Sequence, residues 1–100
     1  MEYKHLGRSG LQVSVVGLGC NNFGGRCDYD QSEKVVNTAL DEGINLFDTA
    51  DVYGGQGKSE EFLGRILKGR RSDAIIATKW GMNMGEGPHR SGASRKYIVS

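Results

Sequence analysis

Short apolar runs alternate with amphipathic stretches along the chain. Two small runs, Tyr3 to Leu6 and Val13 to Val16, flank a glycine-containing turn and predict a β-hairpin. The second run extends through glycines and predicts a first, fully buried strand from Val15 to Gly19. Two further apolar runs, 44–47 and 74–78, have the length and composition of buried strands. The apolar pattern therefore predicts a hairpin followed by three buried strands.

The stretches between these strands have helical periodicity. Asp30, with Glu33 three residues later, predicts a capping box at the start of a first helix, and Gly43 predicts its end. Ser59 lies near the predicted start of a second helix, and Ser94 predicts the cap of a third. Apolar residues recur on one face of the first two helices: Val35, Val36, Ala39 and Leu40, then Phe62, Leu63, Ile66 and Leu67.

The order strand–helix–strand–helix–strand, with short connections, predicts an α/β fold with a parallel sheet of right-handed βαβ units. A doubly wound sheet and a (β/α)8 barrel both fit this order. No G-x-G-x-x-G sequence follows Gly19, which argues against a Rossmann dinucleotide fingerprint. A complete barrel needs about 250 residues. If the fold is a barrel, residues 1–100 are the N-terminal portion of a single larger domain.

Composition narrows the function classes. The 100 residues carry a net charge of +1 with 25% charged residues, so the chain lacks the basic excess of nucleic-acid or anionic-membrane binders. No apolar run approaches the roughly 20 residues of a membrane span, and the N-terminus has no signal-peptide core. We therefore expect a cytoplasmic protein whose two cysteines, Cys20 and Cys27, are free thiols. No metal-ligand spacing is present.

Three side chains with complementary chemistry follow the second and third predicted strands. Asp48 ends the second strand, Lys79 ends the third, and Tyr53 lies on the glycine-rich loop between them. Functional residues of parallel α/β folds lie at these strand ends. An ammonium beside a phenol makes the phenol a stronger acid, and a carboxylate holds the ammonium in place. Such a group suits protonation of a carbonyl oxygen during reduction, and the accompanying hydride implies a nicotinamide cofactor.

Each of the three residues also has a structural interpretation. Asp48 can serve as a cap, Lys79 can extend into solvent from a strand end, and Tyr53 can be an ordinary loop aromatic. A TIM-barrel lyase or isomerase that uses Lys79 as a Schiff-base amine is a further alternative. The neighbouring Asp48 argues against it, because a carboxylate keeps the amine protonated. From the residue types alone these alternatives stay open.

Several segments together resemble the aldo-keto reductase family. The resemblance rests on Gly43-Ile-Asn-Leu-Phe-Asp-Thr-Ala50, then Tyr53-Gly54, then Ser59-Glu60 with Leu63-Gly64. Tyr3 to Ser14, Gly17-Leu18-Gly19 and Thr78-Lys79 are also similar to that family. The glycine-rich insertion before Ser59 and the loop from Trp80 to Arg95 resemble the branch that includes bacterial general reductases and potassium-channel β subunits.

The resemblance implies a TIM barrel closed at its base by the hairpin, with NADP(H)-dependent reduction of small aldehydes and ketones. Tyr53 would be the proton donor, Lys79 the cation that acidifies it, and Asp48 the partner of Lys79. Gly19, Cys20, Asn21 and Asp48 would lie near the nicotinamide ribose.

Some parts of the family pattern are not found in this sequence. In the family, a histidine completes a catalytic tetrad with the residues that match Asp48, Tyr53 and Lys79. Neither His5 nor His89 matches this histidine, which the family places beyond Ser100. The family segments that bind the pyrophosphate and the 2′-phosphate of the cofactor also lie beyond Ser100. We therefore expect residues 1–100 alone to be inactive. A regulatory, channel-β-subunit-like protein that binds NADP(H) shares every motif and is the main alternative. The sequence leaves open the substrate and the preference for NADP over NAD. It also leaves open the oligomeric state, and a homo-oligomer is one possibility.

Overall fold

The computed structural model describes residues 1–100. Strands β1 (Tyr3–His5) and β2 (Gln12–Ser14) form the predicted antiparallel hairpin. The remaining elements, in chain order, are β3 (Gly17–Gly19), α1 (Tyr29–Asp41), β4 (Leu46–Asp48), α2 (Tyr53–Gln56), α3 (Lys58–Ile66), a 3-10 turn (Arg71–Asp73), β5 (Ile75–Ala77) and α4 (Arg95–Ile98). None of the helices has the length and apolar character that crossing a membrane requires.

The three later strands form one parallel sheet in the order β3–β4–β5. This order confirms the βαβ units predicted from the sequence. The register aligns Gly19, Asp48 and Ala77 in one row at the carboxyl ends of the strands. Residues that follow these three positions are therefore brought to one edge of the sheet.

The two faces of this sheet have different surroundings. Successive side chains of a strand point to opposite faces. Phe47 is completely buried among the helices, and Leu18 and Ile76, its neighbours in register, pack against the same core cluster. Helices α1 and α3 contribute Val36, Ala39, Leu63 and Ile66 to that cluster, joined by Leu67 just after α3. The opposite face, with Leu46 and Ile75, has no covering layer of helices or strands.

The open face shows in the dimensions of the molecule. The accessible surface is 6689 Å² and the mass 10.9 kDa, whereas a compact protein of this mass exposes about 5,600 Å². The radius of gyration is 14.5 Å, against about 13 Å for a compact 100-residue domain. Both differences have the sign expected for a sheet that is covered on one face only.

The start of α1 differs from the prediction, and the Asp30 capping box is wrong. Asp28 is the cap: its side chain accepts from Gln31 N at 2.8 Å, and its own N–H donates to Gln31 Oε1 at 3.1 Å. Tyr29 is thereby included in the first turn. Its ring meets Phe62 edge-on at a centroid separation of 5.3 Å and lies 4.0 Å from the Arg65 guanidinium carbon. These contacts with α3 favour the earlier start.

The prediction of a fully buried strand from Val15 to Gly19 is also wrong. Only Gly17–Gly19 is a strand, while Val15 and Val16 are 48% and 49% exposed. The physical reason is that Val15 still pairs with the hairpin, its N–H donating to Glu2 O at 3.0 Å, so the parallel sheet begins only at Gly17. The other two strands are confirmed with shifted bounds, and Val35 of α1 is exposed although Val36 and Ala39 are buried.

The predicted helix boundary signals at Gly43 and Ser94 are confirmed. Gly43, just after the α1 cap, has φ of 91°, which favours glycine. Ser94 caps α4 and accepts from Tyr97 N at 3.2 Å.

Candidate active site

Asp48, Lys79 and Tyr53 meet at the carboxyl edge of the sheet. Lys79 Nζ lies 3.0 and 2.9 Å from the two carboxylate oxygens of Asp48. It also lies 3.3 Å from the Tyr53 hydroxyl and 4.9 Å from the centre of that ring. The structure therefore brings together the three side chains that the sequence singles out as a proton-donating group.

Backbone pairing continues past the strand ends and fixes the position of Lys79. Thr49 N donates to Ala77 O at 2.8 Å, and Asp51 N donates to Lys79 O at 3.2 Å. These bonds tie the segment after β4 to the last residue of β5 and to the segment that follows it. Lys79 is held opposite Asp48 by the sheet itself rather than by a mobile loop.

Tyr53 begins the short turn α2 rather than lying on an open loop. Gly54 and Gly55 have φ of 73° and 79° inside this turn, a conformation that favours glycine. Gly54 also packs closely on the loop after β3, where a Cβ on Gly54 would overlap the Phe23 carbonyl oxygen. The glycines let the chain reverse tightly against that loop and bring the phenol back over Lys79.

Lys79 carries a stable positive charge. The hydrogen bond that Lys79 donates to Asp48 raises the pKa of Lys79 above its ordinary value. Desolvation opposes this rise in part, and the bond to Tyr53 adds to it. The side chains of Lys79 and Asp48 are 50% and 52% exposed, so a ligand can reach both. A protonated lysine can stabilise a phenolate, whereas a Schiff-base nucleophile must be neutral. The geometry disfavours the lyase alternative.

Three of the four candidate cofactor contacts are open at the same edge. Gly19, Asn21 and Asp48 are exposed, and a Cβ on Gly19 would meet nothing closer than Asn21 Oδ1 at 3.7 Å. Asp48 offers carboxylate oxygens and Asn21 an amide, groups that bind hydroxyls. These residues therefore fit a ribose close to Lys79.

The fourth candidate, Cys20, is enclosed. It has no exposed surface, its N–H donates to Asp48 O at 2.8 Å, and its carbonyl accepts from Ser59 Oγ at 2.8 Å. Burial raises the pKa of the Cys20 thiol to about 12, with a smaller contribution from the negative charge of Asp48. Both Cys20 and Cys27 are free, in line with the prediction from the sequence.

Two hydroxyls behind the site were not singled out as site residues by the sequence. Thr49 and Ser59 are buried, and their oxygens lie 2.8 Å apart. The prediction that Ser59 lies near the start of the second helix is confirmed, since it is the second residue of α3; the cap is Gly57, and Ser59 is buried. The position of Thr49 directly after Asp48 is the one signal that could have pointed to it.

Two cavities flank the sheet at opposite ends. One of about 330 Å³ adjoins Lys79 and is lined in part by Asp51, Trp80 and Tyr97. The other, of about 510 Å³, lies at the amino ends of the strands, between the hairpin and Arg70. Only the first adjoins the Asp48–Lys79–Tyr53 group, and no set of three or more His, Cys or acidic side chains converges as a metal site.

Comparison with known proteins gives the family. The family model described as the aldo/keto reductase family matches residues 15–100. The chain belongs to the aldo/keto reductase family. An aldo-keto reductase of Bacillus halodurans in its holo form superposes with a TM-score of 0.83 at 41% identity, over 98% of this chain and 33% of that one. A putative aldo-keto reductase of Pseudomonas aeruginosa gives 0.71 at 42% identity, over 79% of this chain and 31% of that one.

Curated relatives within this aldo/keto reductase group include plant proteins. Two are described as probable voltage-gated potassium channel subunit beta, from Oryza sativa subsp. japonica and Arabidopsis thaliana. Each is 42% identical over 105 residues, covering 99% of this chain. The chain spans 31% of the length of either relative. The hairpin and parallel βα units are thus the N-terminal part of the aldo-keto reductase TIM barrel, as the sequence predicted.

Proposed function

We propose that this chain contributes the proton-donating part of an NADP(H)-dependent reductase of aldehydes and ketones. In this proposal residues 1–100 are the N-terminal portion of a single TIM-barrel domain in a cytoplasmic protein. The observation that carries the proposal is the position of Lys79 Nζ, 2.9 Å from Asp48 and 3.3 Å from the Tyr53 hydroxyl. The family membership of residues 15–100 supports it.

The hydrogen bonds of Lys79 leave the phenol free to act as an acid. The ammonium has only donors, so at Tyr53 it must bond to the hydroxyl oxygen and not to its hydrogen. The hydrogen of Tyr53 is then available to the oxygen of a carbonyl substrate. As that proton leaves, the positive charge 3.3 Å away stabilises the phenolate that forms. Asp48 keeps Lys79 charged and directed at Tyr53 throughout.

The open residues at the sheet edge fit a nicotinamide ribose. Gly19, Asn21 and Asp48 would contact it, while Cys20 would shape the loop behind them. Bound NADPH would supply the hydride that reduces the carbonyl carbon. The half-exposed Lys79–Asp48 pair requires further cover, because such charges act most strongly when water is excluded. In the proposal that cover, and a tetrad histidine, come from the remainder of the barrel.

The test is NADPH oxidation with 4-nitrobenzaldehyde by the whole protein that contains this chain, compared with its Tyr53→Phe variant. Removal of a general acid should lower kcat by about 10²- to 10⁴-fold. Tyr29→Phe is the matched control, since Tyr29 lies on α1 and its hydroxyl donates only to Glu33 at 3.3 Å. Wild-type turnover in Tyr53→Phe, or an equal loss in Tyr29→Phe, would contradict the proposed role.

A regulatory function is the second candidate, because the two plant relatives are described as channel β subunits. In that case the same site would bind NADP(H) and the protein would act through a partner. Tight NADPH binding without turnover of any aldehyde, together with a stable protein partner in a pulldown, would favour regulation. Turnover without such a partner would favour the reductase.

A further inference from the structure

A buried chain of hydroxyl groups lies directly behind the Lys79 site. The oxygens of Thr49 and Ser59 are 2.8 Å apart, and Ser59 Oγ donates to Cys20 O at 2.8 Å. Thr49 is 1% exposed, and Ser59 and Cys20 are fully buried. These hydrogen bonds therefore join the residue after β4, helix α3 and the loop after β3 at one point that is closed to solvent.

The direction of these hydrogen bonds follows from their partners. A carbonyl oxygen only accepts, so Ser59 must donate its single hydrogen to Cys20. Ser59 can then only accept from Thr49, and the order is Thr49 to Ser59 to Cys20. Loss of the Ser59 hydroxyl would leave the buried Thr49 hydroxyl without a partner, which is strongly unfavourable. The orientation of Thr49 is consequently fixed from its side chain as well as from its backbone.

The carbonyl of Thr49 is itself a partner of Lys79. Thr49 O accepts from Lys79 Nζ at 2.9 Å, as short as the shorter of the two contacts with Asp48. An ammonium has three hydrogens. One directed at the Asp48 carboxylate and one at Thr49 O leave the third for Tyr53, whose oxygen is 3.3 Å away. Without a fixed carbonyl at Thr49, the ammonium could rotate about its bond to Cε and turn that hydrogen away.

We propose that Thr49 and Ser59 are positioning residues for proton transfer. Their buried hydroxyls set the Thr49 carbonyl, and that carbonyl directs the Lys79 ammonium at Tyr53. The Ser59 hydroxyl also holds the Cys20 carbonyl. Cys20 in turn donates its own N–H to Asp48 O. This role rests on the proposed reductase function and extends it to two residues that contact neither substrate nor cofactor.

The test is the kinetics of Thr49→Val, Thr49→Ser and Ser59→Ala in the whole protein. Thr49→Val keeps the shape and removes the hydroxyl, so kcat should fall about tenfold, within the loss expected for a misplaced catalytic group. KM for the aldehyde should change less than twofold, because neither residue touches it. The solvent deuterium isotope effect on kcat should rise, since proton transfer becomes slower. Thr49→Ser retains a hydroxyl and should recover most of kcat.

Ser32→Ala separates positioning from simple loss of stability. Ser32 is fully buried like Ser59, and its hydroxyl donates to Asp28 O at 2.7 Å, but it lies on α1 away from the site. The two variants Ser59→Ala and Ser32→Ala should have similar melting temperatures. Ser59→Ala should have a lower kcat than the wild type, whereas Ser32→Ala should keep the wild-type kcat. Wild-type kcat and isotope effect in folded Thr49→Val and Ser59→Ala would overturn the inference. If Tyr53→Phe keeps its activity, the proposed function fails instead.

Discussion

Alkylation of Cys20 is a direct probe of how tightly the loop after β3 is packed beneath the site. Only the thiolate reacts, and burial raises the pKa of this thiol to about 12. At pH 8 about one Cys20 in 10,000 is ionised, compared with about a quarter of an ordinary thiol of pKa near 8.5. The thiolate fraction alone therefore slows the reaction about 2,000-fold.

Part of this loss is recovered because a more basic thiolate is a better nucleophile. With a Brønsted coefficient of about 0.4–0.5, a pKa difference of about 3.5 restores roughly 25- to 50-fold. Cys20 should then react with iodoacetamide about 50- to 100-fold more slowly than an ordinary thiol at pH 8. Complete burial of Cys20 slows it further, because the reagent must wait for an opening of the loop.

The assay is the alkylation rate by mass spectrometry, with Cys27→Ser leaving Cys20 as the one thiol and Cys20→Ser leaving Cys27. The rate at Cys20 should keep rising about tenfold per pH unit between pH 7 and 9.5. In concentrated guanidinium the two thiols should react alike. A Cys20 rate equal to that of half-buried Cys27, or one that levels off near pH 9, would refute the enclosed position of Cys20.

Two further predictions concern stability. Gly54→Ala should be at least about 2 kcal/mol more destabilising in urea unfolding than Gly55→Ala. Both positions have positive φ, but a Cβ on Gly54 would overlap the Phe23 carbonyl, whereas one on Gly55 meets nothing within 4 Å. Equal losses of unfolding free energy in the two variants would contradict this packing. The free energy of unfolding should also fall by about 2 kcal/mol from pH 7 to 10, because the unfolded Cys20 releases a proton that the folded thiol keeps to about pH 12. Asp48 raises the pKa of Lys79, so Lys79 also lowers the stability as the pH rises, but at higher pH. The measurement is thermal unfolding of Cys20→Ser, whose stability should decline less with pH than that of the wild type. An equal decline would contradict the assignment to Cys20.

The sequence predicted elements wherever a local pattern determines them. The hairpin, the three parallel strands, the helix stop at Gly43 and the cap at Ser94 all follow from neighbouring residue types. The approach of Asp48 to Lys79 was also predictable, because parallel strands place their carboxyl ends at one edge. Whether this group acts in catalysis stays a prediction until the kinetics of Tyr53→Phe are measured.

The predicted bounds of elements were wrong where two neighbouring residues gave equivalent signals, or where a contact with a distant part of the chain determined the bound. Asp28 and Asp30 are each followed three residues later by a side chain able to complete a capping box, Gln31 or Glu33. Contacts of Tyr29 with α3 select the first, and no local pattern shows those contacts. The apolar run at Val15 and Val16 likewise gives no sign that Val15 still pairs with the hairpin.

The hydroxyl chain of Thr49 and Ser59 illustrates the same limit at the site. The sequence marks Ser59 only by its position near the start of a helix, and that position gives no sign that its hydroxyl is buried. The nine residues between Thr49 and Ser59 include the glycine turn, which reverses the chain so that the two hydroxyls can meet. Gly54 thus acts on both sides of Lys79: it returns Tyr53 to the front of the ammonium and allows Ser59 to reach Thr49 behind it.

The distances within the Asp48–Lys79–Tyr53 group therefore depend on contacts that all lie inside residues 1–100. Residues 1–100 do not enclose that group. Lys79 and Asp48 are half-exposed, and the sheet face that carries Asp48 has no cover. A phenol and an ammonium in water exchange protons with solvent as readily as with a substrate, and electrostatic stabilisation is weakest there. We therefore expect this geometry with an open face to be insufficient for carbonyl reduction. The accessible surface exceeds that of a compact protein of this mass by about 1,100 Å², which is the sign expected for a sheet covered on one face only.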